Sequence, residues 1–148
     1  MDDRLRAFIE RHPDAAMITY RPDGTAHMAR IELGVVDGRI QSSGAPSLVR
    51  DRHVRRDPRC SLFVFGPHPD WVGLETAVTV LAGDDAPERL VALMRARHGD
   101  ATAEGTVLGH DETLGRDRPY TVDEYIRSVR EQHRLVYEFE VKRAYGNY

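Results

Sequence analysis

A chain of 148 residues, 41% hydrophobic and 30% charged, has the size of one domain and enough apolar side chains for a packed core, which sets aside wholesale disorder. Its net charge of −3 sets aside the broad basic face that nucleic-acid binding needs, and no apolar run approaches the ~20 residues of a membrane span. The acidic start, MDDRLRAF, has no apolar signal core, so a cytoplasmic protein is expected.

In chain order, Asp3 opens a short helix with Leu5, Phe8 and Ile9 at helical spacing, and His12-Pro13 ends it. Residues 15–20 predict a first strand. Arg21-Pro22-Asp23-Gly24 is a turn, because proline presets φ and glycine accepts a positive one. Residues 26–36 predict a long second strand. Asp37-Gly38 is a two-residue hairpin turn that leads to a third strand over 39–43. A short helical segment dense in arginine follows. Residues 59–65 (RCSLFVF) predict a central fourth strand, and 71–81 a fifth. Asp85, Pro87 and Glu88 open a helix striped by Leu90, Val91, Leu93 and Met94. Residues 98–119 are polar, glycine-rich and unpatterned, which predicts a long loop, either a lid over a substrate or an arm around a partner subunit. Thr121 and Glu124 form a capping box for a last helix. Residues 133–141 predict a sixth strand, and 145–148 a short aromatic tail.

Strands joined by hairpins, without strand–helix alternation, predict a mainly β (α+β) fold: a six-stranded antiparallel barrel with peripheral helices, in one domain over 1–148. The only cysteine, Cys60, lies in an apolar strand and reads as an inert buried thiol. The seven histidines form no zinc-type motif, so no metal is expected.

The chemistry concentrates in residues 42–58, SSGAPSLVRDRHVRRDP. From Arg50 to Arg59 there are five arginines against two aspartates, on a chain that is acidic as a whole. A small basic island of this kind suits a compact anion. Two hydroxyls, Ser42 and Ser43, and two guanidiniums, Arg50 and Arg52, supply donors that can converge on a phosphate. Arg50 and Arg52 stand two apart, however, and diverge on an ideal helix. The competing reading is a solvated charged helix between two strands, with Arg55, Arg56 and Arg59 paired to Asp51 and Asp57. Met28 reads as barrel core more readily than as a ligand contact, and Trp71 likewise.

Three stretches resemble a known family: ITYRPDG (18–24), DGRIQSS (37–43) and RDRHVRRDPRCSL (50–62). The closing VYEFEVKRAYG (136–146) is similar to that family's last strand. The family is the pyridoxamine-phosphate-oxidase-like split-barrel flavoproteins, and the likeness is strongest to the flavin/deazaflavin oxidoreductase branch. The resemblance implies an FMN-binding type of split barrel that forms a homodimer with cofactors in interface grooves. It implies a phosphate held by Ser42, Ser43, Arg50 and Arg52, with His53 beside it, and a ring lying against the second strand at Met28 and Ala29. The family often has Lys where Arg50 stands and Asn where His53 stands, so the donor geometry here differs. The implied activity is hydride transfer between F420, favoured over FMN, and a small conjugated organic substrate, with no catalytic residue identified. The alternative is a non-catalytic flavin-, deazaflavin- or haem-pigment binder on the same barrel.

Overall fold

The computed structural model of the protein describes residues 1–99 and 104–148. Among these residues the chain is mainly β, with four helices around one curled antiparallel sheet and one separate hairpin. The elements in order are α1 (Asp3–Arg11), β1 (Asp14–Tyr20), β2 (Ala26–Glu32), β3 (Gly34–Val36), β4 (Arg39–Gly44), α2 (Val49–Arg56), β5 (Arg59–Phe65) and β6 (Trp71–Leu81). There follow α3 (Ala86–His98), β7 (Thr106–Asp111), β8 (Arg116–Thr121), α4 (Val122–Glu131) and β9 (Leu135–Asn147).

The large sheet has the order β2-β1-β5-β6-β9-β4-β3. It holds seven strands where six were expected, because the predicted second strand is divided at Leu33. Before Leu33 the chain pairs with β1, from Tyr20↔Ala26 to Asp14↔Glu32. After it the chain pairs with β4, from Gly34↔Gln41 to Val36↔Arg39. Leu33 itself turns its N–H to Pro13 O at 2.7 Å and buries its side chain. One continuous segment therefore forms both margins of the sheet, and the sheet curls into a split barrel. The Asp37-Gly38 turn has φ of 50° and 76°, the left-handed pair that matches the twist of a tight hairpin.

Period-two alternation fills the barrel. On β5, Cys60, Leu62 and Val64 point inward and are buried, as do Val72 and Leu74 on β6 and Met17 on β1. Leu5, Phe8 and Ile9 of α1 close one end. The Asp2 carboxylate caps α1 by accepting the Leu5 N–H at 2.7 Å. Burial pushes the Cys60 thiol up to about 12, so it stays protonated at neutral pH.

A second layer covers the outer face of β4 and β9. Leu90, Leu93 and Met94 of α3 pack with Val107, Tyr120, Tyr125, Val129 and Val136. Two expectations are corrected here. The predicted loop over 98–119 is largely the β7–β8 hairpin, registered from Thr106↔Thr121 to Asp111↔Arg116, while residues 100–103 lie outside the described residues. The hairpin packs only one face, and Gly109 and Pro119 interrupt its pattern, so no strand-like apolar alternation is visible in the sequence. The predicted aromatic tail is the end of β9, which pairs with β6 as far as Trp71↔Asn147. The capping box at α4 forms in full: Thr121 Oγ accepts the Glu124 N–H, and the Glu124 carboxylate accepts the Thr121 N–H, both at 3.2 Å.

Candidate functional site: an arginine-lined cleft beside α2

Helix α2 packs against β1 and β6, and its sequence dictates which arginines face inward. At about 100° per residue, positions 50, 51, 53 and 54 share one arc and 52, 55 and 56 the other. Asp51, His53 and Val54 are buried, Arg50 is half-buried, and Arg52, Arg55 and Arg56 are exposed. Two polar contacts fix the helix. Tyr137 Oη on β9 donates to Asp51 Oδ1 at 2.8 Å, and His53 Nδ1 is hydrogen-bonded to Thr19 Oγ1 on β1 at 2.9 Å. The His27 ring meets His53 edge-on, 5.3 Å between centroids. Burial, then His27 and Arg56, hold the His53 imidazole below its ordinary value, so it is neutral at pH 7.

The inner side of Arg50 opens on a cleft of about 560 Å³. Its walls come from the end of β2 (Arg30, Ile31, Glu32), the end of β4 and its turn (Ser42, Ser43, Gly44, Ala45), and α2 (Arg50). The second layer adds Arg97 from α3, His110, Glu112 and Asp117 from the hairpin, and Arg134 just before β9. Among these, Arg134 Nη2 donates to Ser43 Oγ at 2.8 Å, and Ser42 Oγ donates to Glu32 O at 2.9 Å. Arg97 donates to Glu32 O, and Arg30 pairs with Asp14 at 2.7 Å. The Nε–H groups of Arg50 and Arg97 are buried with no acceptor among the described residues. Burial draws both guanidiniums below their ordinary value, and Arg134 adds like-charge repulsion to each. A buried charge without a full set of partners is costly, and a negative charge in the cleft would offset that cost.

Of the residues singled out in the sequence, the cleft brings together Ser42, Ser43 and Arg50. Arg52 lies on the outer arc of α2 and does not line it. His53 sits beneath the helix against Thr19. Met28 and Ala29 lie further along β2. Met28 is 73% exposed on the outer face, which corrects its reading as core. Arg55–Asp51 and Arg59–Asp57 pair as the charge pattern suggested, at 2.7 and 2.8 Å. Arg97 and Arg134 were not anticipated. Arg97 had a visible signal, for it continues the apolar stripe Leu90, Leu93, Met94 with a charge where core is due. Arg134 had none, because an arginine before a strand is ordinary.

The outer sheet face also carries an aromatic cluster, which begins two strands across from β2. Phe63 and Phe65 stack at 5.8 Å, Phe63 meets Trp71 at 5.7 Å, and Tyr145 lies edge-on to Trp71. All four are exposed, so Trp71 is a surface residue rather than the core anchor expected.

These features define a split-barrel protein with a cleft at one margin lined by four arginines and three acidic residues. A profile of the family described as "Pyridoxamine 5'-phosphate oxidase" matches residues 1–144. The chain belongs to that pyridoxamine 5'-phosphate oxidase family, whose members include flavin-binding oxidoreductases. Solved structures share the fold at low identity. The conserved hypothetical protein Rv2991 of Mycobacterium tuberculosis superposes with a TM-score of 0.69 at 20% identity, over 97% of this chain and 82% of that one. A structure titled F420 reductase gives 0.63 at 13%, over 98% of both chains. General Stress Protein 26 of Bacillus anthracis gives 0.63 at 9%, over 97% and 90%. Comparison with curated protein sequences finds no match.

Proposed function

We propose that the protein is an oxidoreductase that binds F420, or failing that FMN, in the Arg50 cleft and exchanges hydride with a small conjugated organic molecule. One observation carries the reading: the guanidinium residues Arg50, Arg97 and Arg134 line one cleft, and the first two hold buried Nε–H groups without acceptors. A phosphate seated there accepts from the cleft-lining arginines, with the Arg134–Ser43 pair as a further point of contact. Ser42 shapes the floor, since its hydroxyl is already given to Glu32 O. The arginines exceed what one phosphate requires, which favours the longer anionic tail of F420. The bound cofactor supplies the redox chemistry. The protein binds its anionic end, aligns the ring along β2 beside Met28 and Ala29, and excludes water.

A second copy of the chain, seated on the Phe63–Phe65–Trp71–Tyr145 face, closes the groove over β2. Isolated exposed aromatics are ordinary, whereas a contiguous cluster of this kind gives a partner surface.

The test is a fluorescence titration of purified protein with F420 and with FMN. Wild type should saturate with F420 more tightly than with FMN. Arg50→Ala and Arg97→Ala should each lose about 1.5–3 kcal/mol of binding free energy, the typical contribution of a hydrogen bond to a charged group. Arg52→Ala should match wild type. Oxidation of reduced cofactor by a panel of conjugated acceptors, together with a dimer by sedimentation, completes the expectation. Failure of both cofactors to bind, or an Arg50→Ala protein that binds as wild type, overturns it.

A further inference from the structure

Asp51 is an aspartate at a position where a helix packs against an apolar barrel. It is 2% exposed, and its carboxylate is divided between two donors. Oδ1 accepts from Tyr137 Oη at 2.8 Å, and Oδ2 accepts from Arg55 Nε at 2.7 Å. Tyr137 is fully buried, and burial followed by its bond to Asp51 pushes the phenol up, so it stays a donor at all working pH values. The Tyr137 ring reaches α2 only by crossing the end of β4, and a Cβ at Gly44 would overlap that ring. Glycine at 44 is therefore what lets the phenol through.

We infer that Tyr137 and Asp51, with Gly44 as the gap, form a latch that sets the rotation of α2 and so aims Arg50, its neighbour in sequence, into the cleft. The geometry leaves little choice. The side chains of 50 and 51 leave the helix about 100° apart, and those of 50 and 52 roughly 160° apart. Holding Asp51 toward β9 turns Arg50 to the cleft and Arg52 to solvent. Leu48 at the N-cap makes no side-chain cap bond, so the first turn of α2 has no local device of its own to fix its rotation. The opposite contact, His53–Thr19, lies two residues further on, about half a turn round the helix, and holds it against β1. Tyr137 and Asp51 are positioning residues here, acting through Arg50. The inference rests on the reading of the Arg50 cleft as the cofactor site.

Two measurements separate the latch from that reading. The first needs no ligand. The Arg50 Nε–H is buried, so its exchange with solvent, followed by ¹⁵N NMR and assigned by loss of the signal in Arg50→Lys, should be slow. In Tyr137→Phe it should quicken by about tenfold, the loss of roughly one hydrogen bond. The second is an F420 and FMN titration of Tyr137→Phe, Arg50→Ala and the double variant. Tyr137→Phe should weaken binding by about fivefold to tenfold, and Arg50→Ala should add little on top of it, since both remove the same contact. A change in general stability alone would not produce that non-additivity. Asp51→Ala, which removes the acceptor of the Tyr137 hydroxyl, repeats both measurements should Tyr137→Phe fold poorly. Unchanged Arg50 exchange, or effects on binding that multiply independently, overturns the latch. Slow wild-type exchange that quickens in Tyr137→Phe, with no binding of either cofactor, leaves the latch standing and removes the cofactor reading.

Discussion

The barrel and the layer laid over it obey different rules. Barrel strands pack one inner face against one core, and each reads in the sequence as alternation: Cys60, Leu62 and Val64 inward, Ser61, Phe63 and Phe65 outward. The outer layer, α3 with the β7–β8 hairpin and α4, is assembled from partial faces, with Leu90, Val107, Tyr125 and Val129 contributing to a smaller core. The cleft lies where the two meet. Ser43 and Arg50 come from the barrel and α2, Arg97, His110 and Asp117 from the layer outside.

The contrast can be broken most forcefully in the barrel. Leu62→Ala removes a side chain at the centre of β5 and should cost about 2–5 kcal/mol in denaturant unfolding, with loss of cofactor binding as the whole barrel loosens. A loss confined to the outer layer would contradict the division. Thr121→Ala deletes half of the capping box and should cost about 1 kcal/mol. Hydrogen exchange should then quicken in α4 and the β7–β8 hairpin and leave β5 and β6 unchanged. Equal quickening in β5 would show that the two layers open as one. The smallest effect is a pH dependence at the barrel end. The pKa of folded His53 is depressed, so the unfolded chain binds its proton more readily. Stability from this site is fully present above the unfolded value of about 6.5 and declines as pH falls through it toward the lower folded value. Arg21, Arg52 and Arg56 around it, with His27 facing it, act in the same direction. His53→Asn should flatten the decline between neutral and mildly acidic pH in thermal melts. A slope identical to wild type would assign the dependence to other groups.

Most of the barrel was legible because its signals are local. The turns at Pro22–Gly24 and Asp37–Gly38 and the Thr121 box each act within a few residues. The division at Leu33 was not, because residues 26–36 alternate as one strand would, and only the competing demands of β1 and β4 separate them. In the site, the divergence of Arg50 and Arg52 followed from helix geometry alone, and the pairing of Arg55 and Arg59 from charge. Arg134 reaches Ser43 across 91 positions of sequence, a distance over which no local pattern operates. Met28 and Trp71 were misjudged as core since exposure of a large apolar side chain depends on what covers the sheet, and sequence periodicity does not reveal that.

The corner at Leu33 has a bearing on how the molecule comes together. The β1–β2 hairpin and the β3–β4 hairpin are both local, and a single residue ties one to the other. Joining the two hems of the sheet therefore spends almost none of the chain entropy that a long connecting loop would forfeit. The two sides of the seam are thus bound to each other by the chain itself, whatever the order in which β5, β6 and β9 join them.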